Sequence, residues 1–376
     1  MCRRLAIVAL TAALIGGPAT GAAALSDTEV ERLVERHVRD VLPAHGAGGA
    51  AVAVRIDGRT LFFNYGYADR ANNRPATSDT LFNLGSVAKV FDAILLAQAV
   101  QQGELAFEDP VAKHVTELQR GGDIRRVTLR QLASFTSGLV LPHDGPPWTA
   151  EPFTPETFLT YLNEWKARPG QEPGKQVLHT HSNYVLLRLA FERRFGVPIA
   201  DLTGRRLIEP LRLTSTVLPT PSADPRRHPR GELPAALRSR VVQGYDEDGT
   251  TIGDPGDLQG FYHWVGTGQT YSSARDMAVM LAANLDGLPG HQSLQQAMKL
   301  AQQGVLAFGE RSVGALAWES HRQDGWEIVE RYGGLNNATA TIAMIPERKV
   351  GVVILCNRSQ DVATAGQKIL LGLAGN

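Results

Sequence analysis

The chain has 376 residues, and its 38 lysine and arginine residues balance its 38 aspartate and glutamate residues. Because a nucleic-acid-binding surface needs an excess of positive charge, this balance gives no basis for expecting a nucleic-acid partner. The length suits one large catalytic domain or two subdomains, and the sequence contains no internal repeat.

Residues 1–24 have the pattern of a secretory signal peptide. Two early arginines precede an apolar run over 5–15, and small residues that suit cleavage follow. We therefore expect a mature domain over 25–376 that is exported to the periplasm. Since no later segment has the length and apolarity of a membrane span, we expect none. We also expect a monomer.

The first elements after the leader are predicted to be a helix and a hairpin. The helix covers 27–42, where apolar residues recur at helical spacing. Two strands follow over 50–56 and 60–67, and the turn between them, Asp57-Gly58, is typical of a hairpin.

The rest of the chain divides into a proline- and glycine-rich middle, roughly 104–260, and an ordered carboxyl-terminal part. That last part is predicted to contain a helix over 273–283, strands over 338–346 and 350–357, and a closing helix over 361–374.

These elements predict an α/β (α+β) fold with an antiparallel sheet from both chain ends, flanked by helices, because hairpins pair their strands antiparallel. The middle of the chain forms a mostly helical subdomain in this interpretation. We predict one domain whose sheet subdomain covers about 25–80 and 265–376, and whose helical subdomain covers about 81–264.

The most informative local pattern is Ser86-Val-Ala-Lys89, inside an apolar segment predicted to be helical. Residues three apart on a helix share a face, so Lys89 can place its amine against the Ser86 hydroxyl. A serine hydroxyl becomes a good nucleophile when an adjacent base activates it. The pattern alone is common, and its context gives it weight.

Five segments in order resemble the serine β-lactamase and penicillin-binding-protein family, in particular its class C β-lactamase branch. These segments are TLFNLGSVAK at 80–89, QGELAFEDPV at 102–111, LRQLASFTSG at 129–138, SSARDMA at 272–278 and AMIPERKVGVVILCN at 343–357. The resemblance spans about 45–360. It implies the β-lactamase/transpeptidase-like fold, which also hosts peptidases, esterases and non-catalytic relatives.

The resemblance implies a role for four groups in this chain. Ser86 matches the acylated nucleophile, and Lys89 matches the amine that activates it. The backbone N–H groups of Ser86 and Gly334 would form the oxyanion hole, with each such donor worth about 3 kcal/mol in the transition state. The family requires no cofactor.

The second family motif, Tyr-x-Asn, is changed. Its position corresponds to His179-Thr180-His181, so histidines stand where tyrosine and asparagine are expected. A register shifted by two residues would instead make 181–183 the motif and retain its asparagine, Asn183, but this alternative requires an insertion.

The third family motif, Lys-Thr-Gly, corresponds to Arg331-Tyr332-Gly333, followed by Gly334. The positive charge is kept, and arginine can bind a substrate carboxylate in a bidentate way. Tyr332 changes the substrate contact and narrows the pocket. A further histidine, His143, stands where the family often has a substrate-contacting amide.

Three hypotheses explain the histidines. Sequence drift is one, with His179 bonded only to its neighbours. In the second, His179 carries protons to and from Ser86, since the pKa of histidine lies near neutral pH. In the third, His179 and His181 bind Zn²⁺, with His143 as a third ligand and a water in the open position.

The sequence therefore predicts a periplasmic serine hydrolase that opens β-lactam rings through an acyl-Ser86 intermediate. The altered motifs predict low turnover and an unusual substrate profile, for example toward carbapenems, with zinc assistance as an option. A D-alanyl-D-alanine peptidase or an esterase on the same fold is the nearest rival. A non-catalytic binder of β-lactams or peptidoglycan fragments is a second rival.

Overall fold

The computed structural model describes residues 24–42, 46–144, 155–219, 233–255 and 270–375. The helices are α1 (Asp27–Val38), α2 (Lys89–Gln101), α3 (Leu129–Ala133), α4 (Pro155–Glu164), α5 (His181–Phe195), α6 (Ile199–Thr203), α7 (Glu209–Leu211), α8 (Ala235–Arg238), α9 (Ala274–Leu285), α10 (Gln292–Ala301) and α11 (Val362–Ala374). The strands are β1 (Gly49–Ile56), β2 (Arg59–Asp69), β3 (Arg74–Pro75), β4 (Phe82–Asn83), β5 (Gly244–Tyr245), β6 (Thr251–Ile252), β7 (Tyr271–Ser272), β8 (Leu306–Phe308), β9 (Ser312–Gly314), β10 (Glu319–Gln323), β11 (Trp326–Leu335), β12 (Ala338–Ile345) and β13 (Val350–Cys356).

Within the described residues, nine strands form one antiparallel sheet in the order β3-β2-β1-β13-β12-β11-β10-β9-β8. The pairing of β1 with β13 joins the amino-terminal hairpin to the carboxyl-terminal one, with Ala50 opposite Cys356. The predicted sheet from both chain ends is therefore confirmed.

Both faces of the central strands are buried, because alternate side chains point to opposite faces of a strand. On β1, Ala51 and Ala53 belong to the larger apolar core, which includes α2 and α9. Val52 and Val54 belong to a second core, which is covered by α1 and α11. Helices on both faces thus hold the sheet as a rigid support for the residues at its edge.

The segment that contains Ser86 enters the larger core as a short 3₁₀ turn, Gly85–Ala88, that leads directly into α2. Every residue of α2 from Lys89 to Ala99 is buried. A helix that is buried all round is fixed by its neighbours on every side, so its first turn is held in place.

Most predicted elements are confirmed, with small differences at their ends. Ser86 lies in the 3₁₀ turn, three residues before α2 begins at Lys89. The fifth helix begins at His181, because Asp144 caps its first N–H groups from outside the helix. The leader 1–23 lies outside the described residues, and the subdomain boundaries stay a prediction.

In the described part of the chain, no helix combines the length and apolarity that a bilayer span requires.

Candidate active site

Ser86 and Lys89 form a direct hydrogen bond, with 2.9 Å between Lys89 Nζ and Ser86 Oγ. The 3₁₀ turn supports this contact, since residues three apart are eclipsed in that geometry. Lys89 is fully buried and Ser86 is 7% exposed. Burial lowers the pKa of Lys89 well below its ordinary value, and the positive charges of Arg331 and Arg188 lower it further. A neutral amine of this kind can accept the proton of a serine hydroxyl.

The strand beside the nucleophile, β11, approaches it through glycines. A Cβ atom on Gly333 would lie 2.6 Å from the Ser86 nitrogen, and one on Gly85 would lie 2.9 Å from the Gly334 nitrogen. Backbone therefore meets backbone at this contact, which side chains would force apart. The backbone nitrogens of Ser86 and Gly334 thus both lie at this contact between the turn and β11.

His179 and His181 both line the cavity that contains Ser86. Their ring centroids are 5.7 Å apart and the rings are nearly perpendicular. Burial is the main cause that lowers the pKa of both, to about 2 for His181 and lower for His179. Both imidazoles are therefore neutral at neutral pH.

Asn183, the alternative motif residue, is not among the residues that line this cavity. It is fully buried, and its amide accepts from Ser137 Oγ at 2.5 Å and donates to Thr180 Oγ1 at 2.6 Å. The placement favours the ungapped register, in which His179 and His181 are the cavity residues.

Arg331 is 4% exposed and lies between two partners. Its Nη2 bonds to His179 Nε2, and its Nη1 donates to Glu319 Oε1 at 3.1 Å. Because a guanidinium has only donors, His179 Nε2 must be the acceptor, and its ring proton sits on Nδ1. The lone pair of Nε2 is thus already used, so this arrangement leaves His179 no free acceptor for the Ser86 proton.

Tyr332 is 41% exposed at the mouth of the site. Its phenol lies over Gly334, with the oxygen 2.8 Å from where a Cβ on that glycine would be. The ring borders the Ser86 cavity of about 380 Å³ and a wider cavity of about 750 Å³, lined by Glu247, Ser359, Gln360, Asp361 and Ala363.

The side chain of His143, the predicted third zinc ligand, lies outside the described part of the structure. Among the residues whose side chains are described, no group of three or more His, Cys, Asp or Glu is arranged to hold a metal ion.

Three carboxylates near the site escaped the sequence analysis. Asp144 accepts the N–H groups of His181 and Ser182 at 2.8 and 3.0 Å, and burial raises its pKa. Glu319 and Glu330 line the cavity and lie opposite each other on β10 and β11. The two glutamates could have been found from the sequence only if the pairing register of β10 and β11 had been known, because only that register places them opposite each other.

The family model "Beta-lactamase" matches residues 30–374. A β-lactamase of Escherichia coli (strain K12) is 27% identical over 88% of this chain and 89% of its own length. A β-lactamase of Yersinia enterocolitica is also 27% identical, over 89% of this chain and 88% of its own. A solved class C β-lactamase aligns with a TM-score of 0.79 at 22% identity, covering 94% of this chain and 99% of that one, which supports the fold.

Gly333→Ala is predicted to lower the free energy of unfolding by about 1–3 kcal/mol, the usual cost of overpacking. The new Cβ would lie 2.2 Å from the Leu84 carbonyl oxygen, so β11 must move away from the Ser86 turn. Urea unfolding measures the change.

The matched control is Gly204→Ala, since a Cβ at Gly204 would meet nothing within 4 Å. This variant is expected to be at least as stable as the wild type, because alanine favours helix over glycine. Equal stability of the Gly333→Ala variant and the wild type would contradict the close approach.

Proposed function

The chain belongs to the β-lactamase family, and from this premise we propose that it is a serine hydrolase that opens β-lactam rings through an acyl-Ser86 intermediate. The observation that carries the proposal is the 2.9 Å contact between Ser86 Oγ and the buried amine of Lys89. The names of the curated relatives support the choice of substrate.

Acylation begins when the neutral Lys89 amine takes the proton of the Ser86 hydroxyl. The Ser86 oxygen then attacks the carbonyl carbon of the β-lactam ring, and the carbonyl oxygen becomes negatively charged. The N–H groups of Ser86 and Gly334 donate to that oxygen, which supports the transition state more than the ground state.

Ring opening follows when the carbon–nitrogen bond breaks. The leaving nitrogen takes the proton now held by the Lys89 ammonium, which restores the neutral amine. For deacylation, Lys89 accepts a proton from a water that attacks the ester carbonyl, and it returns this proton to the departing Ser86 oxygen. The carboxylic acid product leaves and the free enzyme is regenerated.

The changed motifs set the proposed substrate profile. Arg331 would bind a substrate carboxylate only by sharing the guanidinium that Glu319 and His179 already hold. Tyr332 narrows the entrance beside Gly334. We therefore propose low turnover and a preference unlike that of ordinary class C enzymes, with a carbapenem among the first compounds to test.

The leader pattern supports export to the periplasm as part of the proposal, and action as a monomer is proposed with it.

The rival functions, a D-alanyl-D-alanine peptidase, an esterase and a non-catalytic binder, share Ser86 and Lys89, so substrates must separate them. A β-lactam panel, a D-Ala-D-Ala peptide and a short-chain ester are compared on the mature protein. Hydrolysis of the peptide or ester alone would favour those rivals, and a stable Ser86 adduct without turnover would favour a binder.

Lys89→Met is predicted to lower kcat/KM for β-lactam hydrolysis by roughly 10²–10⁴-fold, the contribution of a general base. His179→Gln is expected to lower kcat/KM much less, because the glutamine oxygen can still accept a hydrogen bond from Arg331. Steady-state hydrolysis of both variants measures the difference. If the two losses were equal, His179 would be the proton carrier of the second histidine hypothesis.

EDTA is predicted to leave hydrolysis unchanged, because His179 Nε2 already accepts a hydrogen bond from Arg331. Zinc binding at His179 and His181 is the second candidate, and two neutral imidazoles in one cavity favour it. Rates are measured as purified, after EDTA, and after Zn²⁺ is restored. Hydrolysis that is lost in EDTA and recovered with Zn²⁺ in the wild type, with no such response in His181→Asn, would establish the zinc-assisted version.

A further inference from the structure

A buried ion pair lies one helical turn along α2 from the proposed catalytic amine of Lys89. Arg188 Nε is 3.0 Å from both carboxylate oxygens of Asp92. The side chains of these residues are 4% and 0% exposed, respectively. The pair joins α5 to α2, the helix that begins at Lys89.

The Asp92–Arg188 pair lies next to Lys89 along the contact between α2 and α5. Lys89 and Asp92 are three residues apart on α2, and Tyr184 and Arg188 are four apart on α5, so each couple shares a helix face. Lys89 Nζ lies 5.7 Å from the centre of the Tyr184 ring. Lys89 thus faces Tyr184 while Asp92 faces Arg188.

Packing alone does not explain two charges here. Replacing a buried ion pair with apolar side chains of similar volume is often neutral or stabilising. Arg188 Nη2 is buried without a hydrogen-bond partner in the described part of the chain, which adds a further cost. The cost of burying this pair indicates a role for its charges besides packing.

We propose that Asp92 and Arg188 are positioning residues for Lys89, acting as a pair of opposite charges that sets whether its amine meets Ser86 neutral or protonated. The inference rests on the proposed function only in requiring that Lys89 receive the Ser86 proton.

The two charges act on Lys89 in opposite directions. The guanidinium of Arg188 lowers the pKa of Lys89, and the carboxylate of Asp92 raises it. In the described part of the chain, further groups that contact Lys89 or act on its charge include Ser86, Asp144, His179, His181, Tyr184 and Arg331. Because these groups are the same in every variant below, single changes at Asp92 and Arg188 have predictable signs.

The test follows the reaction of Ser86 with a fluorophosphonate probe as a function of pH. In this reaction the Ser86 oxygen bonds to phosphorus, the phosphorus–fluorine bond breaks, fluoride leaves and the hydroxyl proton passes to Lys89. The labelling rate rises from acidic pH as Lys89 loses its proton, and we call this rise the acidic limb of the rate–pH profile. Its midpoint therefore reports the pKa of Lys89 without requiring any β-lactam hydrolysis.

Asp92→Asn removes the anion and leaves Arg188 charged, so the acidic limb is expected at lower pH. Arg188→Gln removes the cation, so the limb is expected at higher pH, by roughly one pH unit or more in each case. The opposite signs separate this role from a structural one, which would reduce labelling without moving the two limbs apart. Arg188→Lys keeps a cation and is expected to restore most of the wild-type profile.

The matched control is the exposed pair formed by Arg193, also on α5, and Glu117, joined at 2.8 Å. Arg193→Gln and Glu117→Gln change the same charges at the surface and are expected to leave the limb in place. Labelling is done at low temperature with a stabilising osmolyte, so that marginal variants stay folded. Each single variant has its own signed prediction, so either suffices if the other fails to fold.

Limbs that coincide with the wild type, or that shift in the same direction, would overturn the inference and leave the proposed function intact. Wild-type labelling no faster than that of Ser86→Ala would instead overturn the Lys89-activated serine, and this inference with it.

Discussion

The site depends on one constraint, an amine that is buried against a hydroxyl. Lys89 is fully inside the protein and bonded to Ser86 Oγ. A fully buried ammonium is expensive, so the amine gives up its proton instead. The two nearby arginines strengthen this tendency, because a guanidinium keeps its charge and Lys89 is the group that can lose one. In the proposed mechanism, the fold thus prepares Lys89 as a base before any substrate binds.

The second requirement is the close approach of the backbone of β11 to the turn that contains Ser86. Gly333 and Gly85 allow β11 to approach the turn closely, and this places the N–H groups of Ser86 and Gly334 at one contact. The helices on both faces of the sheet keep that contact rigid. Such preorganised donors cost no rearrangement during the reaction, which is why they are effective in catalysis.

Local patterns predicted much of the fold and of the site. The hairpins, the terminal helices and the Ser86–Lys89 spacing all follow from neighbouring residues, and the ungapped register placed His179 and His181 in the cavity. The contacts of Arg331 with His179 and Glu319 could not be predicted, because they join segments 152 and 12 residues apart through tertiary packing and strand register. Asp92 gave a signal, as a charge in an apolar helix, but its partner is 96 residues away.

The central claim is a covalent intermediate on Ser86, and rapid-quench intact-mass measurement during turnover of a β-lactam tests it most directly. The account predicts an adduct with the mass of the intact β-lactam that maps to the Ser86 peptide, decays as product forms, and is absent in Ser86→Ala. Hydrolysis that continues in Ser86→Ala at the wild-type rate, with no adduct in the wild type, would contradict it.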